Sequence, residues 1–215
     1  MATIEPNAAA DEKRALRKEM KVLRDELSAR DPDAGETLAG KFPLKLLDRY
    51  GPVVSGYWPI GSEVDARALM KRLHGEGAQL CLPRIGDDGV GMTFHAWSPG
   101  NVLQTTRFGL QQPCASEILV RPTLMLMPLL AFDLEGHRLG YGKGHYDRAI
   151  AALREHGRVF TCGLAFAGQQ LDAVPAEPHD QALDWAMTEK GSVPLFMTRH
   201  MRGSPAPDPH GPDAA

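Results

Sequence analysis

The sequence predicts an α/β protein built on a largely parallel sheet flanked by helices. Helical and strand-like stretches alternate along the middle of the chain, and this order is typical of parallel sheets. Two strand-like stretches, at 123–133 and 158–166, are apolar nearly throughout, as in strands covered on both faces. Hydrophobic residues make up 43% of the 215 residues and charged residues 24%, which is enough to bury a sizeable core.

The first predicted element is an amphipathic helix over residues 11–30, with Asp11 as its N-cap. Apolar side chains recur in it at helical spacing and form one stripe: Leu16, Met20, Leu23 and Leu27. Basic side chains border this stripe: Lys13, Arg17 and Arg24. Two interpretations follow. The basic groups form a solvated rim, or their charged ends reach over whatever packs on the stripe.

The rest of the chain supplies the alternation. A second helical stretch, over 34–50, is interrupted by Pro43 and ends at Gly51. A β-like run follows in "PVVSGYW", and a polar connection occupies "SPGNVLQTTRFGLQQP". The other predicted elements are a helix in "DARALMKRLHGEG", strands in "AQLCLP" and "MTFHAW", a helix in "YDRAIAALREHG", a strand in "RVFTCGLAF" and a last short strand in "LDWAMTE".

The composition of the two ends sets the predicted domain limits. Residues 199–215 are rich in Pro, Gly, Ala and Asp and lack apolar anchors, so disorder is predicted there. Residues 1–10 are predicted to form a flexible tail. One domain over 11–198 is predicted between the tails, because single α/β domains of this size are common.

Charge, cysteine content and hydropathy argue against several classes of protein. The net charge of -3 disfavours general binding to nucleic acid or to anionic membranes. An unclustered set of three cysteines suits neither a disulfide framework nor a structural zinc site: Cys81, Cys114 and Cys162. The N-terminal stretch has no apolar signal core, and the longest apolar run, at 124–132, is about half of a membrane span. We therefore predict a cytoplasmic protein.

The stretch "RLGYGKGHYDR", at 138–148, lies just beyond a predicted buried strand and at the head of a predicted helix. Glycines alternate in it: Gly140, Gly142 and Gly144. Glycine lets the backbone approach a ligand closely, and helix-start N–H groups attract anions. Lys143 adds a positive charge, with Arg138 and Arg148 nearby. The spacing matches neither the dinucleotide motif nor the P-loop, so a structural turn and a phosphate-binding loop both remain open.

Carboxylates beside such a loop point to a cation. Asp147 directly follows the loop, and a carboxylate next to a polyphosphate is repelled unless a hard cation such as Mg²⁺ lies between them. The alternative for Asp147 is an interaction with the helix start. Asp180, in "EPHD", is a second candidate, and its alternative is an ordinary loop residue.

The stretch "LMPLLAFDLEGHRLGYGKGHYDR" resembles the signature of the 5-formyltetrahydrofolate cyclo-ligases, also called 5,10-methenyltetrahydrofolate synthetases. Further segments match in the family's order: "KRALR", "YWPIGSEVD", "LCLPRI", "FHAWSPG", "FGLQQP" and "EPHDQALD". The resemblance extends roughly from Lys13 to Glu189. His145 stands where the family usually has tyrosine, and Gln112 stands where glutamate is frequent.

The resemblance implies a fold and a reaction. The fold is a three-layer α/β/α sandwich of Rossmann-like type. The reaction is the cyclisation of 5-formyltetrahydrofolate to 5,10-methenyltetrahydrofolate, with ATP as co-substrate, Mg²⁺ as cofactor, and ADP and phosphate as further products. A phosphorylated formyl group, an iminium phosphate, is the implied intermediate. We expect a monomer without nucleic-acid or membrane partners.

The resemblance also assigns residues to each ligand. ATP is assigned to Lys13, Arg14 and Arg17 of the first helix and to Arg138, Leu139, Gly140, Tyr141, Gly142, Lys143, Gly144, His145 and Tyr146. The folate is assigned to Trp58, Glu63, Tyr141, Gly142, Lys143, Gly144 and His145. Mg²⁺ is assigned to Asp147 and Asp180, and catalysis to Lys143 and Arg148. Apart from the resemblance, Trp58 fits a core aromatic and Glu63 an acid at a helix N-terminus.

Two other functions remain open from the residues themselves. A small-molecule kinase would use the same loop and Mg²⁺ but would release a stable phosphorylated product. An RNA-binding or scaffold protein would use the basic first helix and the tails, although the interleaved aromatic residues that stack on bases are missing.

Overall fold

The computed structural model describes residues 8–106 and 109–195. The predicted C-terminal tail lies outside these residues, as do residues 1–7 of the predicted N-terminal tail. The first helix, α1 (Ala8–Arg30), begins before Asp11, so the prediction of Asp11 as its N-cap is wrong. The helix starts on consecutive alanines, which have the highest helix propensity. Asp11 lies in the first turn, where negative charge still favours the helix.

The break at Pro43 divides the second helical stretch into α2 (Ala34–Lys41) and α3 (Lys45–Tyr50). Proline has no backbone N–H and cannot continue a helix ladder. At the end of α3, the Gly51 N–H donates to the carbonyl of Leu47 at 2.7 Å. The predicted interruption and the predicted glycine stop are both confirmed.

The remaining elements confirm the predicted alternation of helices and strands, but the stretch 123–133 predicted as one strand is divided into two, and the short strands at 138–139 and 191–194 were not predicted. In chain order they are β1 (Val53–Ser55), α4 (Arg67–Gly75), β2 (Gln79–Ile85), β3 (Met92–Ala96), β4 (Gln104–Thr105), β5 (Gln111–Gln112), β6 (Leu124–Pro128), β7 (Ala131–Phe132), β8 (Arg138–Leu139), α5 (His145–Arg154), β9 (Phe160–Leu164), β10 (Trp185–Thr188) and β11 (Gly191–Pro194). A 3-10 turn at Ala167–Gln169 follows β9. The hairpin of β4 and β5 falls in the predicted polar connection, because two-residue strands carry no period to detect.

Within the described residues, seven strands form one sheet in the order β11-β10-β9-β6-β1-β2-β3. The five inner strands are parallel to their inner neighbours, and β3 and β11 are antiparallel edge strands. Parallel strands end at a common edge, and loops at that edge carry the ligand sites of open α/β sheets. The prediction of a largely parallel sheet is confirmed.

The strand β6 is buried on both faces, as its apolar run predicts. Leu124 and Leu126 face one core, and Met125 and Met127 face another. Helix α2 supplies Leu38 to the first core, its C-cap residue Phe42 adds to it, and α4 supplies Leu69 and Leu73. Helix α5 supplies Ala149 and Ile150 to the second core. Helices thus cover both faces of the sheet, which confirms the three-layer α/β/α sandwich.

The long helix α1 packs on the hairpin formed by β7 and β8. Its Met20 is buried in a third core together with Leu130, Leu139 and Val174. Because β8 runs directly into the glycine stretch, this packing brings the basic side of α1 next to that stretch. In the part of the chain that the structure describes, no helix is long and apolar enough to cross a membrane.

Candidate active site

A cavity of about 280 Å³ lies where the ends of β2 and β6 meet α1 and the glycine stretch. Pro83 and Ile85 of β2 and Pro128 of β6 contribute to its wall. Most of the residues predicted for ligand binding line it: Lys13, Arg17, Trp58, Glu63, Arg138, Leu139, Gly140, Tyr141, Gly142, Lys143, Gly144, His145, Tyr146, Asp147 and Asp180. Residues from both ends of the chain therefore meet in one place.

The glycine loop, residues 140–144, connects β8 to α5, and its last residue, Gly144, is the N-cap of α5. Gly142 has φ +86 and Gly144 has φ +65, left-handed conformations that other L residues rarely adopt. Arg17 fixes the loop to α1, because its Nε donates to the Gly140 carbonyl at 2.9 Å. A Cβ atom on Gly142 would lie 3.0 Å from the Arg17 guanidinium carbon, so the backbone of the loop and the Arg17 side chain approach closely here.

Two predicted residues lie outside this cavity. The Arg14 side chain is 72% exposed and pairs with Asp11 on the outer side of α1. One helical residue corresponds to about 100° of rotation, which separates Arg14 from its neighbour Lys13. The Arg148 guanidinium donates to the carbonyl of Val90 at 3.1 Å, in the turn between β2 and β3. The structure therefore does not bring Arg14 or Arg148 to the wall of the cavity.

Lys13 forms an ion-pair cluster with Glu177 and Asp180, hereafter the Lys13 cluster. Its Nζ lies 2.8 Å from Glu177 Oε2 and 2.5 Å from Asp180 Oδ2. Burial opposes the charge on Lys13, but the hydrogen bonds to the two carboxylates outweigh it and hold its pKa above the ordinary value. Lys13 is buried, as is Arg24, so the interpretation of these basic residues as a solvated rim is wrong.

Asp147 pairs with Arg138 on the neighbouring wall. The Asp147 Oδ1 accepts a hydrogen bond from Arg138 at 2.7 Å and another from the Gln181 amide at 2.9 Å. Arg138 also donates to the Gln181 carbonyl at 2.6 Å. Burial lowers the pKa of Arg138, and the charge of Asp147 opposes that shift. These contacts join the start of α5 to the segment that carries Asp180.

Glu63 lies on the opposite side of the cavity, in the turn before α4. Its Oε2 accepts the Ile60 N–H at 2.9 Å, and its Oε1 accepts the Tyr141 hydroxyl at the same distance. Burial raises the pKa of Glu63, while these hydrogen bonds and the charge of Arg24 act against the shift. Because α4 begins four residues later, at Arg67, the interpretation of Glu63 as a helix N-terminal acid is wrong.

Trp58 is half-buried and serves both the core and the cavity. Its ring packs edge-on against Trp97, with 6.0 Å between the ring centroids. The Arg67 guanidinium lies 5.4 Å from the Trp58 ring centroid on the side of a second, polar cavity. Trp58 is therefore packed against the core, as one interpretation has it, and also lines the cavity.

The carboxylates of the Lys13 cluster, together with His179, are suitable donors for a divalent cation. One ligand atom each of Glu177, His179 and Asp180 lies within 4.8 Å of the others. Carboxylate oxygens are the donors that Mg²⁺ prefers. The Asp147 carboxylate lines the same cavity, and its contact with the Gln181 amide holds it near Asp180. The residues present thus fit a hard cation bound together with an anionic ligand.

Comparison with known proteins gives the arrangement a family. The model of the 5-formyltetrahydrofolate cyclo-ligase family matches residues 9–189, which include every residue that lines the cavity and all of the main sheet except β11. The chain belongs to this family. The resemblance predicted from the glycine stretch and its companion segments is confirmed, and the protein is an enzyme of the cyclo-ligase class.

Cyclo-ligase relatives are found in sequence and in structure. The 5-formyltetrahydrofolate cyclo-ligase of Mycolicibacterium smegmatis is 32% identical over 167 residues, which cover 74% of this chain and 84% of that protein. The Aquifex aeolicus 5,10-methenyltetrahydrofolate synthetase superposes with a TM-score of 0.68 and 30% identity, over 85% of this chain and 92% of that one. The Mycoplasma pneumoniae synthetase, at 22% identity and a TM-score of 0.64, covers 82% of this chain and 98% of that chain and supports the fold.

Two residues that contact predicted site residues were not assigned from the sequence: Glu177, which lines the cavity, and Arg24, which is buried behind it. Glu177 shares Lys13 with Asp180, and its position in "EPHD" was a signal that could have found it. Arg24 borders the apolar stripe of α1, yet its guanidinium lies 3.9 Å from Glu63 Oε1. No sequence pattern could reveal that contact, because 39 positions along the chain separate Arg24 from Glu63.

Proposed function

We propose that the protein closes the ring of 5-formyltetrahydrofolate to give 5,10-methenyltetrahydrofolate, with one ATP converted to ADP and phosphate in each turnover. The observation that carries this proposal is the cavity itself. A basic glycine loop lines one side of it and the buried carboxylate of Glu63 lines the other. The two kinds of ligand that the reaction requires, a polyphosphate and a heterocycle with N–H donors, would meet between them.

The chemistry explains why ATP is needed. An N-formyl amide is a poor electrophile, and its oxygen is a poor leaving group. The formyl oxygen attacks the γ-phosphorus of ATP, ADP leaves, and an N5-iminium phosphate results. N10 then adds to the iminium carbon and loses its proton, and expulsion of phosphate yields the methenyl product. No covalent bond to the protein is required, so the site acts by positioning and by stabilising charge.

The glycine loop is the proposed phosphate site. Lys143 lies between the two left-handed glycines and supplies a positive charge, and the first residues of α5, whose N–H groups are free of helix hydrogen bonds, line the cavity. Lys13 has three N–H donors, of which Glu177 and Asp180 use two, so one remains for a phosphate oxygen. Arg17 holds the loop against α1. Arg14 and Arg148 are not included in the proposed site.

The proposed Mg²⁺ site consists of carboxylates on the wall that faces the loop. Asp180 and Glu177 would hold the ion with Asp147 nearby, directly or through water. When bound, the ion would neutralise charge on the phosphates. The chain's own contribution is to keep Asp180 ionised, because the Lys13 hydrogen bonds hold the pKa of Asp180 below its ordinary value even though burial acts in the opposite direction.

The proposed folate site is formed by Glu63 and Trp58. The Glu63 carboxylate can accept a hydrogen bond from an N–H of the pterin, and the Trp58 ring offers an apolar wall beside it. In this proposal the formyl group of the substrate faces the glycine loop.

The direct test is a spectrophotometric assay. Purified protein with 5-formyltetrahydrofolate, ATP and Mg²⁺ should produce the absorption of methenyltetrahydrofolate, together with ADP and free phosphate in equal amounts. Omission of ATP, or chelation of the metal, should abolish the signal. Turnover without ATP would contradict the proposal, and a stable phosphorylated folate without free phosphate would identify a kinase instead.

A further inference from the structure

Glu63 cannot be reached by a ligand in the described conformation. Its side chain is 2% exposed, although the residue contributes to the cavity wall. Both of its oxygens already accept hydrogen bonds, one from the Ile60 amide and one from the Tyr141 hydroxyl. Each carboxylate oxygen can accept a second hydrogen bond, but a side chain this deeply buried can receive a substrate N–H only after one of the groups that cover it has moved.

Tyr141 is the donor that is free to move. Its residue is 46% exposed, and it stands between Gly140 and Gly142 in the glycine loop. Glycines on both sides give the backbone unusual conformational freedom. The Ile60 amide, in contrast, belongs to the same turn as Glu63 and donates at a separation of three residues. The Tyr141 hydroxyl can leave while the turn keeps its shape.

Arg24 lies next to both the Tyr141 ring and the Glu63 carboxylate. Its guanidinium lies 5.5 Å from the Tyr141 ring centroid and donates through Nε to the Ser62 hydroxyl at 3.0 Å. One terminal nitrogen has no hydrogen-bond partner among the described residues and lies 3.9 Å from Glu63 Oε1. Arg24 is buried, so it stays in place when Tyr141 moves and continues to balance the charge of Glu63.

We propose that Tyr141 is a movable cap over Glu63, which opens before the folate binds. This inference rests on the proposed function, because it takes Glu63 as the acceptor of the substrate. In the free enzyme the Tyr141 hydroxyl occupies Oε1 and closes the folate side of the cavity. The competent, open form is then only a fraction of the population, and this lowers the apparent affinity by that fraction.

Tyr141→Phe provides the sharpest test, because it keeps the ring and removes only the hydroxyl that holds the cap closed. Tyr50→Phe is the matched control: Tyr50 stacks on Phe160 and does not line the cavity. The binding of 5-formyltetrahydrofolate, without ATP, is followed by stopped-flow tryptophan fluorescence. Tyr141→Phe should raise the association rate constant roughly ten- to hundredfold, the range that corresponds to one hydrogen bond to a charged acceptor, and leave the dissociation rate constant unchanged.

The possible outcomes separate the cap from the proposed function. Faster association of Tyr141→Phe, with Tyr50→Phe equal to the wild type, supports the cap, since general damage to the fold does not speed binding. Association at the wild-type rate, or weaker binding, in Tyr141→Phe overturns the cap while the folate site stands. Failure of the wild-type protein to bind the folate at all contradicts the proposed function, on which the cap depends.

Discussion

The ammonium nitrogen of Lys13 lies 2.5 Å from Oδ2 of Asp180, although 167 positions along the chain separate the two residues. The same ammonium holds Glu177 at 2.8 Å. Two carboxylates thus share one cation on the wall of the active-site cavity. Removal of that cation would leave like charges close together, where each disfavours the ionisation of the other.

We predict that Lys13→Met lowers the free energy of unfolding by about 1–3 kcal/mol at neutral pH, because buried charged groups lose their partner. The same variant should bind free Mn²⁺ more tightly than the wild type does, since the carboxylates no longer carry a competing ammonium. Urea unfolding and calorimetric titration measure the two effects. Lys18→Met, an exposed position on α1, is the control, and equal stability of the two variants would contradict the prediction.

The contribution of the Lys13 cluster to stability should depend on pH. Burial alone would raise the pKa of Asp180, but hydrogen bonds from Lys13 and from the Glu177 amide hold it below the ordinary 3.8. The stabilisation is therefore complete above the ordinary pKa and is lost as the pH falls through the lower, folded-state pKa. The pKa of Lys13 is raised, so at the alkaline end the stabilisation is lost as the pH rises through that value. Wild type and Lys13→Met should differ at neutral pH and converge in acid.

Lys143→Ala should lower kcat by about 10²–10³, the effect typical of one donor to a transition state, with a smaller change in folate affinity. Arg148→Ala should lower kcat much less, because the Arg148 guanidinium contacts the Val90 carbonyl outside the cavity. Steady-state rates and direct folate titration without ATP measure the two quantities. Equal losses of kcat in the two variants would show that Arg148 takes part in catalysis, as the family resemblance implies.

Glu63→Gln should weaken the binding of 5-formyltetrahydrofolate by roughly 10- to 100-fold, because a charged acceptor is replaced by a neutral one. Burial raises the pKa of Glu63 above its ordinary 4.5, so its ionised form costs stability at neutral pH. The variant should therefore be more stable than the wild type at neutral pH, and the gain should disappear below about pH 4.5. Titration with the folate measures the loss of affinity, and unfolding at neutral pH and below about pH 4.5 measures the change in stability. A loss of stability at neutral pH would show the reasoning to be incorrect.

Gly142→Ala should destabilise the protein by about 1–2 kcal/mol, because alanine is strained at a left-handed φ. The added methyl would also press on the Arg17 guanidinium. Gly140→Ala is the matched comparison for stability, since a Cβ there has no neighbour within 4 Å and Gly140 does not have a positive φ. Thermal unfolding of both variants gives the answer, and equal midpoints would exclude strain at Gly142.

The local features of the fold could be predicted because they depend on neighbouring residues. The apolar run of β6, the break at Pro43 and the stop at Gly51 each act within a few positions, and each is confirmed. The antiparallel direction of β3 could not be predicted. A strand has the same period in both directions, and only its pairing with β2 settles the orientation.

The residues of the candidate site could be predicted from the sequence, but the contacts between them could not. Arg138 and Arg148 flank the same loop, yet one turns toward Asp147 and the other toward Val90. Arg138 lies in β8 and Arg148 in α5, and the directions of their side chains depend on how these two elements pack, which the sequence pattern does not specify. Likewise, the partner of Glu63 could be found only after folding, because Tyr141 reaches it across 78 positions of chain.

The long separation within the Lys13 cluster has a consequence for biosynthesis. On the ribosome, α1 emerges early, but Lys13 has neither of its carboxylate partners until Glu177 and Asp180 have been translated and have left the exit tunnel. A nascent chain that stops before Glu177 therefore carries the glycine loop and the basic helix without the wall that faces them. The wall that carries Glu177 and Asp180 is therefore completed only near the end of translation, after the other residues of the proposed site.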